Sequence, residues 1–175
     1  MTDAEVLSVE GSEVIPVISV VGRSGTGKTT VLELLIGELV RRGYHVGTVK
    51  HCSHGFDADR QGKDSWRHAQ AGSEVTAISC PNKMALFRNV EKEMPLNEIV
   101  AMMGKVDLVL TEGYKRGENP MIEVSRQAVA TDLLCSSQDL VCVMADYDID
   151  TSVPLFALDD AKSVISLLEE RFLRG

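Results

Sequence analysis

Short apolar, β-branched runs alternate along this chain with stretches of helical periodicity. Residues 15–21 form an apolar run that ends at Gly22, the pattern of a strand buried on both faces of a parallel sheet. Residues 28–42 follow with Val31, Leu34, Leu35, Leu39 and Val40 at the spacing of one helix face, and Gly43 stops the helix. Residues 45–49 read as a second strand. Residues 51–62, rich in His, Asp, Gly and Ser, read as a loop, and 63–71 as a short helix closed by Gly72. Strands are expected at 75–79 and 84–87 around a turn at Pro81-Asn82, then a helix at 96–103. Three further apolar runs, 106–111, 121–124 and 140–145, are strand-sized. A last helix at 161–172 has Val164, Ile165, Leu167 and Leu168 as its apolar positions and Asp159 or Asp160 as its cap. Strands alternating with helices predict one α/β domain over 14–175, its sheet mainly parallel and flanked by helices. Residues 1–13 are polar and unpatterned and are expected to be a loose leader.

Composition narrows the function classes. The chain has 175 residues, 44% hydrophobic and 25% charged, enough for a real core. The 26 acidic residues against 18 Lys and Arg give a net charge of -8, a field that repels phosphate backbones and argues against nucleic-acid binding. It does not oppose one local phosphate site, where backbone dipoles act at short range. Cys52, Cys80, Cys135 and Cys142 contain no Cys-x-x-Cys pair and are expected to be free thiols. The leader has no apolar stretch of the kind a secretion signal needs, and no run is long enough to span a bilayer. A cytoplasmic protein with no membrane contact is the expectation.

The strongest chemical signal is Gly22-Arg23-Ser24-Gly25-Thr26-Gly27-Lys28-Thr29, placed where a strand turns into a helix. Its glycines let the backbone fold into a nest of inward N–H groups, and the helix start adds its positive end. The segment predicts a P-loop. Gly22, Ser24, Gly25, Thr26, Gly27, Lys28, Thr29 and Thr30 are then candidates to hold the phosphates of a nucleoside triphosphate. Lys28 reaches the β- and γ-phosphates and is the candidate catalytic cation, while the Thr29 hydroxyl is a magnesium ligand. The fold class expected is accordingly a P-loop NTPase domain.

A second element is the apolar strand carrying Asp107 and ending at Glu112-Gly113. A carboxylate at the C-terminal end of a strand beside a P-loop holds magnesium directly or through water. Glu112, not Asp107, occupies that end. The loop after the second strand supplies Lys50, and Asp57 and Asp59 as further magnesium candidates in the manner of a switch loop. Taken alone, the same segment is an ordinary polar surface loop. His51, Cys52 and His54 do not have the spacing of a closed zinc site. Asn82-Lys83 matches the start of a guanine-reading element, but Ala85 stands where its acid belongs. Asp146 follows an apolar strand at the ligand edge, where it is either a base contact or a solvated turn residue. Arg23 is a weak candidate for a phosphate or dimer contact, and no water-positioning Gln stands out. Spacing therefore leaves GTP and ATP both open.

In combination these segments resemble the molybdopterin-guanine dinucleotide biosynthesis protein B family, MobB. The resemblance rests on residues 24–30, on Val49-Lys50-His51 with His54, Asp57 and Asp59, on residues 62–65, on Ala71-Gly72, and on residues 111–115. It implies a GTP-binding P-loop protein with weak GTPase activity, commonly a homodimer. It also implies a supporting role in converting molybdenum cofactor to its guanine dinucleotide form, as adapter or nucleotide donor to a molybdopterin guanylyltransferase. By that match Lys50, Asp57, Asp59 and Glu112 are site residues, with Gly25, Gly27, Lys28 and Thr29 at the phosphates and magnesium. Two other functions fit the same scaffold: an ATP-dependent small-molecule kinase or ligase, and an interaction module gated by nucleotide without relevant catalysis.

Overall fold

The computed structural model describes residues 14–52, 55–56, 59–115 and 117–173. The chain divides into two compact units, one formed by Met1–His51 with Met103–Gly175, the other by Cys52–Met102.

The first unit is built on six strands: β1 (Val17–Val21), β2 (Val46–Lys50), β5 (Leu108–Glu112), β6 (Met121–Ser125), β7 (Leu140–Ala145) and β8 (Leu155–Ala157). Their order across the sheet is β2-β5-β1-β6-β7-β8, and every neighbouring pair runs parallel. Parallel strands put all their C-terminal ends on one edge, where ligands of open α/β sheets collect. This is the mainly parallel sheet expected from the sequence. β8 has no counterpart in the sequence reading, because three residues at an edge, two half-buried and one exposed, give no periodic signal.

Two helices, α1 (Lys28–Arg41) and α4 (Ala161–Leu168), belong to this unit. Ile18, Val20, Leu108, Leu110, Ile122, Val124, Cys142 and Met144 project from the strands into one core with Leu35 and Leu39 of α1 and Val164, Ile165 and Leu168 of α4. The alternate side chains, Val21, Met121, Leu140, Val143 and Ala145, form a second cluster with Leu133, Tyr147, Ile149 and Val153 of connecting loops. A sheet covered on both faces explains why its strands read as continuous apolar runs.

The buried stripe of α1 is Val31, Leu32, Leu35, Glu38 and Leu39. Leu34 and Val40, expected on it, are 41% and 59% exposed. Glu38 takes a place on the stripe because Arg41 and Arg42 both hydrogen-bond its carboxylate, and Arg42 also pairs with Glu169 beyond α4. A charge can sit there only with such partners, so apolar counting alone misassigned the face. Asp160 caps α4, accepting from the Ser163 N–H at 3.1 Å. The helix expected to run on to residue 172 changes instead to a π-helical turn at Glu169–Leu173.

The second unit contains α2 (Asp64–Gln70), the antiparallel hairpin β3 (Val75–Cys80) and β4 (Lys83–Arg88), and α3 (Leu96–Ala101). The hairpin turns at residues 81–82, as the Pro-Asn pair predicts. Ala85, where a base-reading acid would stand, pairs with Ile78 inside this hairpin. No helix among the described residues is long and apolar enough to cross a membrane.

Candidate nucleotide site

β1 ends in the middle of the sheet, with β5 and β6 on either side, and the chain turns there through residues 22–27 into α1. Gly22, Gly25 and Gly27 all have positive φ, at 152°, 83° and 88°. These angles curl the loop back on itself: the Arg23 carbonyl accepts from the Thr26 N–H at 3.4 Å and from Thr26 Oγ1 at 3.0 Å. Lys28 Nζ donates to the same carbonyl at 2.8 Å. Thr26 is buried, while Ser24 and Gly25 are exposed at the crest, and Gly27 is the left-handed residue from which α1 starts. Successive N–H groups in such a turn form an anion nest.

Sheet register supplies the rest. Glu112 at the end of β5 pairs with Val20 of β1 on one side and with Lys50 of β2 on the other. Its carboxylate accepts from Thr29 Oγ1 at 3.2 Å and lies 3.5 Å from Lys50 Nζ. Two hard oxygen donors, one hydroxyl and one carboxylate, are what magnesium takes from proteins while keeping water in its remaining positions. Thr29 and Glu112 therefore fit that ion. Partial burial, then the charge of Lys115, holds the Lys28 ammonium below its ordinary pKa; Glu112 opposes the shift and Lys50 adds to it. A cluster with Lys28, Lys50 and Lys115 around one carboxylate favours an anion.

Asp107 lies before β5, at the opposite end of the strand, where it accepts from the His45 N–H at 2.6 Å. Beneath the loop, buried Thr111 donates to buried Ser19 at 3.0 Å, pairing two hydroxyls that neighbouring strands bring face to face. After Glu112 the chain takes positive φ at Gly113 and Tyr114, and the Tyr114 ring lies against His51 with centroids 4.9 Å apart. A Cβ on Gly113 would come within 3.1 Å of the His51 Cβ, so glycine is needed for this close approach.

The remaining candidates fall elsewhere. Thr30 is exposed on the first turn of α1. Asp57 and His54 lie outside the described residues. Asp59 belongs to the second unit and accepts from the Arg60 N–H at 2.7 Å and the Ser65 hydroxyl at 3.0 Å. Cys52 is exposed, and no group of three His, Cys, Asp or Glu is gathered into a metal cluster among the described residues. Arg23 is ion-paired with Asp132. Asp146 is exposed and accepts from the Gln127 N–H at 2.9 Å.

Two residues escaped the sequence reading. Arg126, just past β6, donates from Nε to the Thr26 carbonyl at 3.0 Å, with its guanidinium beside Gly27. Glu123, 2% exposed within β6, accepts from the N–H groups of Leu134 and Cys135 at 2.7 and 3.0 Å and anchors the loop that follows Arg126. No local motif marks either one. An acid inside an otherwise apolar strand, Met-Ile-Glu-Val, is the single signal that was available.

Comparison with known proteins agrees with this fold and shows the family. A relative in Haemophilus influenzae, described as a molybdopterin-guanine dinucleotide biosynthesis adapter protein, is 31% identical over 157 residues, covering 89% of this chain and 88% of its own. The Escherichia coli protein of the same description is 31% identical over 166 residues, covering 91% and 95%. A solved structure of molybdopterin-guanine biosynthesis protein B superposes with a TM-score of 0.72 at 26% identity, over 91% of this chain and 99% of that one. The family model described as molybdopterin guanine dinucleotide synthesis protein B matches residues 17–146, from the first strand to the acid after β7, and so the chain belongs to the MobB family.

Proposed function

We propose that this chain is a cytoplasmic adapter in molybdopterin guanine dinucleotide biosynthesis that binds GTP with magnesium at its P-loop and hydrolyses it slowly. It serves, as adapter or nucleotide donor, the guanylyltransferase that converts molybdenum cofactor to the guanine dinucleotide form. The observation that carries the nucleotide reading is the convergence of Lys28, Thr29, Lys50 and Glu112 on one edge of the sheet. The adapter role follows from family membership and from the description of the relatives.

The nest of residues 22–27 receives the phosphates, and Lys28 exchanges the Arg23 carbonyl for β- and γ-phosphate oxygens. Thr29 and Glu112 hold magnesium, which when bound neutralises charge on those oxygens. Lys28 stabilises the negative charge that builds up during transfer to water. Lys50 holds the Glu112 carboxylate in place from the neighbouring strand. Beside the loop, Arg23 is ion-paired with Asp132, whereas Arg126 is tied to the Thr26 carbonyl through Nε alone. Turnover is expected to be slow for the chain alone and to rise with the guanylyltransferase present.

A homodimer fits the hairpin of the second unit, where Val75, Met84 and Leu86 share one face and are 44%, 69% and 51% exposed. Two-stranded hairpins are marginal alone, and apolar surface of this kind marks protein contact. Light scattering on the purified chain is expected to return twice the monomer mass.

Calorimetric titration of GTP and ATP with magnesium tests the central reading. GTP is expected to bind more tightly, with a loss of at least about 100-fold in Lys28→Ala, the scale of several charge-assisted hydrogen bonds. In Glu112→Gln the loss is expected with magnesium and not with a chelator present. Equal or tighter ATP binding, or transfer of the γ-phosphate to an acceptor other than water, would overturn it in favour of a kinase or ligase.

A further inference from the structure

We infer that Asp146 reads the base of the bound nucleotide, accepting hydrogen bonds from a purine whose ring edge carries two adjacent N–H donors, as guanine does. This rests on the P-loop reading above and deepens it.

A groove of about 360 Å³ opens at the end of β7. It is bounded by Asp146, Tyr147 and Asp148 on one side and by Leu155, Phe156 and Ala157 of β8 on the other. It lies on the same C-terminal edge of the sheet as the P-loop, since β1, β6, β7 and β8 are successive parallel neighbours. β7 is two strands from β1, a separation of roughly 10 Å. That is the reach of a ribose and base extending sideways from phosphates held in the nest. The groove offers apolar surface from Leu155 and Phe156 for a flat ring and a carboxylate for its edge.

Hydrogen bonds already connect the two ends of such a site. Arg126 donates to the Thr26 carbonyl of the P-loop, and the next residue, Gln127, donates its N–H to Asp146 Oδ1. Consecutive residues thus connect the phosphate nest to the carboxylate and set the distance between them. The Gln127 bond also fixes the Asp146 rotamer, leaving Oδ2 and a second lone pair of Oδ1 to accept from a ligand. Guanine presents N1–H and N2–H₂ side by side to two such acceptors. Adenine presents no N1–H, hypoxanthine lacks the 2-amino group, and xanthine puts a carbonyl in its place.

The chemistry prescribes a swap. Asp146→Asn keeps an oxygen for Gln127 and N1–H but turns the second acceptor into a donor, which suits xanthine and opposes guanine. The experiment is competition binding of GTP, ITP, XTP and ATP, with magnesium, to the full chain, Asp146→Asn and Lys28→Ala. The native chain is expected to rank GTP above ITP and ATP. Asp146→Asn is expected to lose GTP affinity on the order of 10- to 100-fold, one charge-assisted hydrogen bond's worth, and to gain XTP affinity. A gain cannot come from misfolding. GTP affinity unchanged in Asp146→Asn, or an equal loss of all four nucleotides, overturns the base assignment and leaves the P-loop standing. Full binding by Lys28→Ala overturns the P-loop reading, and the base assignment falls with it.

Discussion

The glycines of the P-loop look alike in the motif, yet the structure predicts very different costs for replacing them. A Cβ on Gly22 would lie 2.4 Å from the Val124 carbonyl oxygen and 2.9 Å from Thr26 Oγ1. Val124 is 1% exposed in β6, and its pairing with Met144 of β7 prevents the carbonyl from retreating without disturbing the ladder. Overpacking of this kind costs roughly 1–3 kcal/mol. The φ of 152° adds a backbone cost of similar size, about 1–3 kcal/mol. Gly22→Ala is therefore expected to destabilise by roughly 2–6 kcal/mol, a large part of the ~5–15 kcal/mol that holds an ordinary domain together. Gly25→Ala meets no atom within 4 Å and pays only for its φ of 83°, about 1–2 kcal/mol. Urea denaturation of both variants, followed by far-ultraviolet circular dichroism, measures the difference. At about 2–4 °C per kcal/mol for a chain of this size, their melting temperatures separate too. Equal costs for the two would refute the reasoning, because they would mean that β6 does not press against the start of the loop.

Other expectations can be checked with the same protein. Hydrogen bonds from Arg41 and Arg42 lower the Glu38 carboxyl from 4.5 to about 2. A pKa depressed on folding stabilises above the unfolded value, so this contribution is complete above about pH 5 and lost as pH falls toward 2. The stability difference between the native chain and Glu38→Gln should shrink over that window; a constant difference would contradict the pairing. Burial pushes the Cys142 thiol up to about 12 and, with Glu123 nearby, Cys135 to about 11, whereas Cys52 and Cys80 are exposed. A maleimide at pH 8 should label Cys52 and Cys80 first and Cys142 only in denaturant, as read by peptide mass spectrometry. Early labelling of Cys142 would mean that the core of β7 is open.

The sequence by itself determined which pieces exist and where the glycine-rich loop stands among them. A strand, a glycine-rich turn and a helix are adjacent in the chain, so their periodicity and turn residues identify the P-loop without tertiary information. Glu112 was legible for the same reason, as the polar residue that ends an apolar run. Only the tertiary structure decided which strands lie side by side. Lys50 meets Glu112 through the register of β2 with β5, residues more than sixty positions apart, and nothing local encodes that pairing. Arg126 and Glu123 gained their roles in the same way, from backbone groups brought to them by loops after distant strands. The Glu38 stripe and the short β8 stayed hidden because a charge neutralised by its partners, or three residues at a sheet edge, leave no periodic trace. Local pattern is written by near neighbours in the chain, while the distance from the glycine-rich loop after β1 to Asp146 after β7 is set by the order of strands in the sheet.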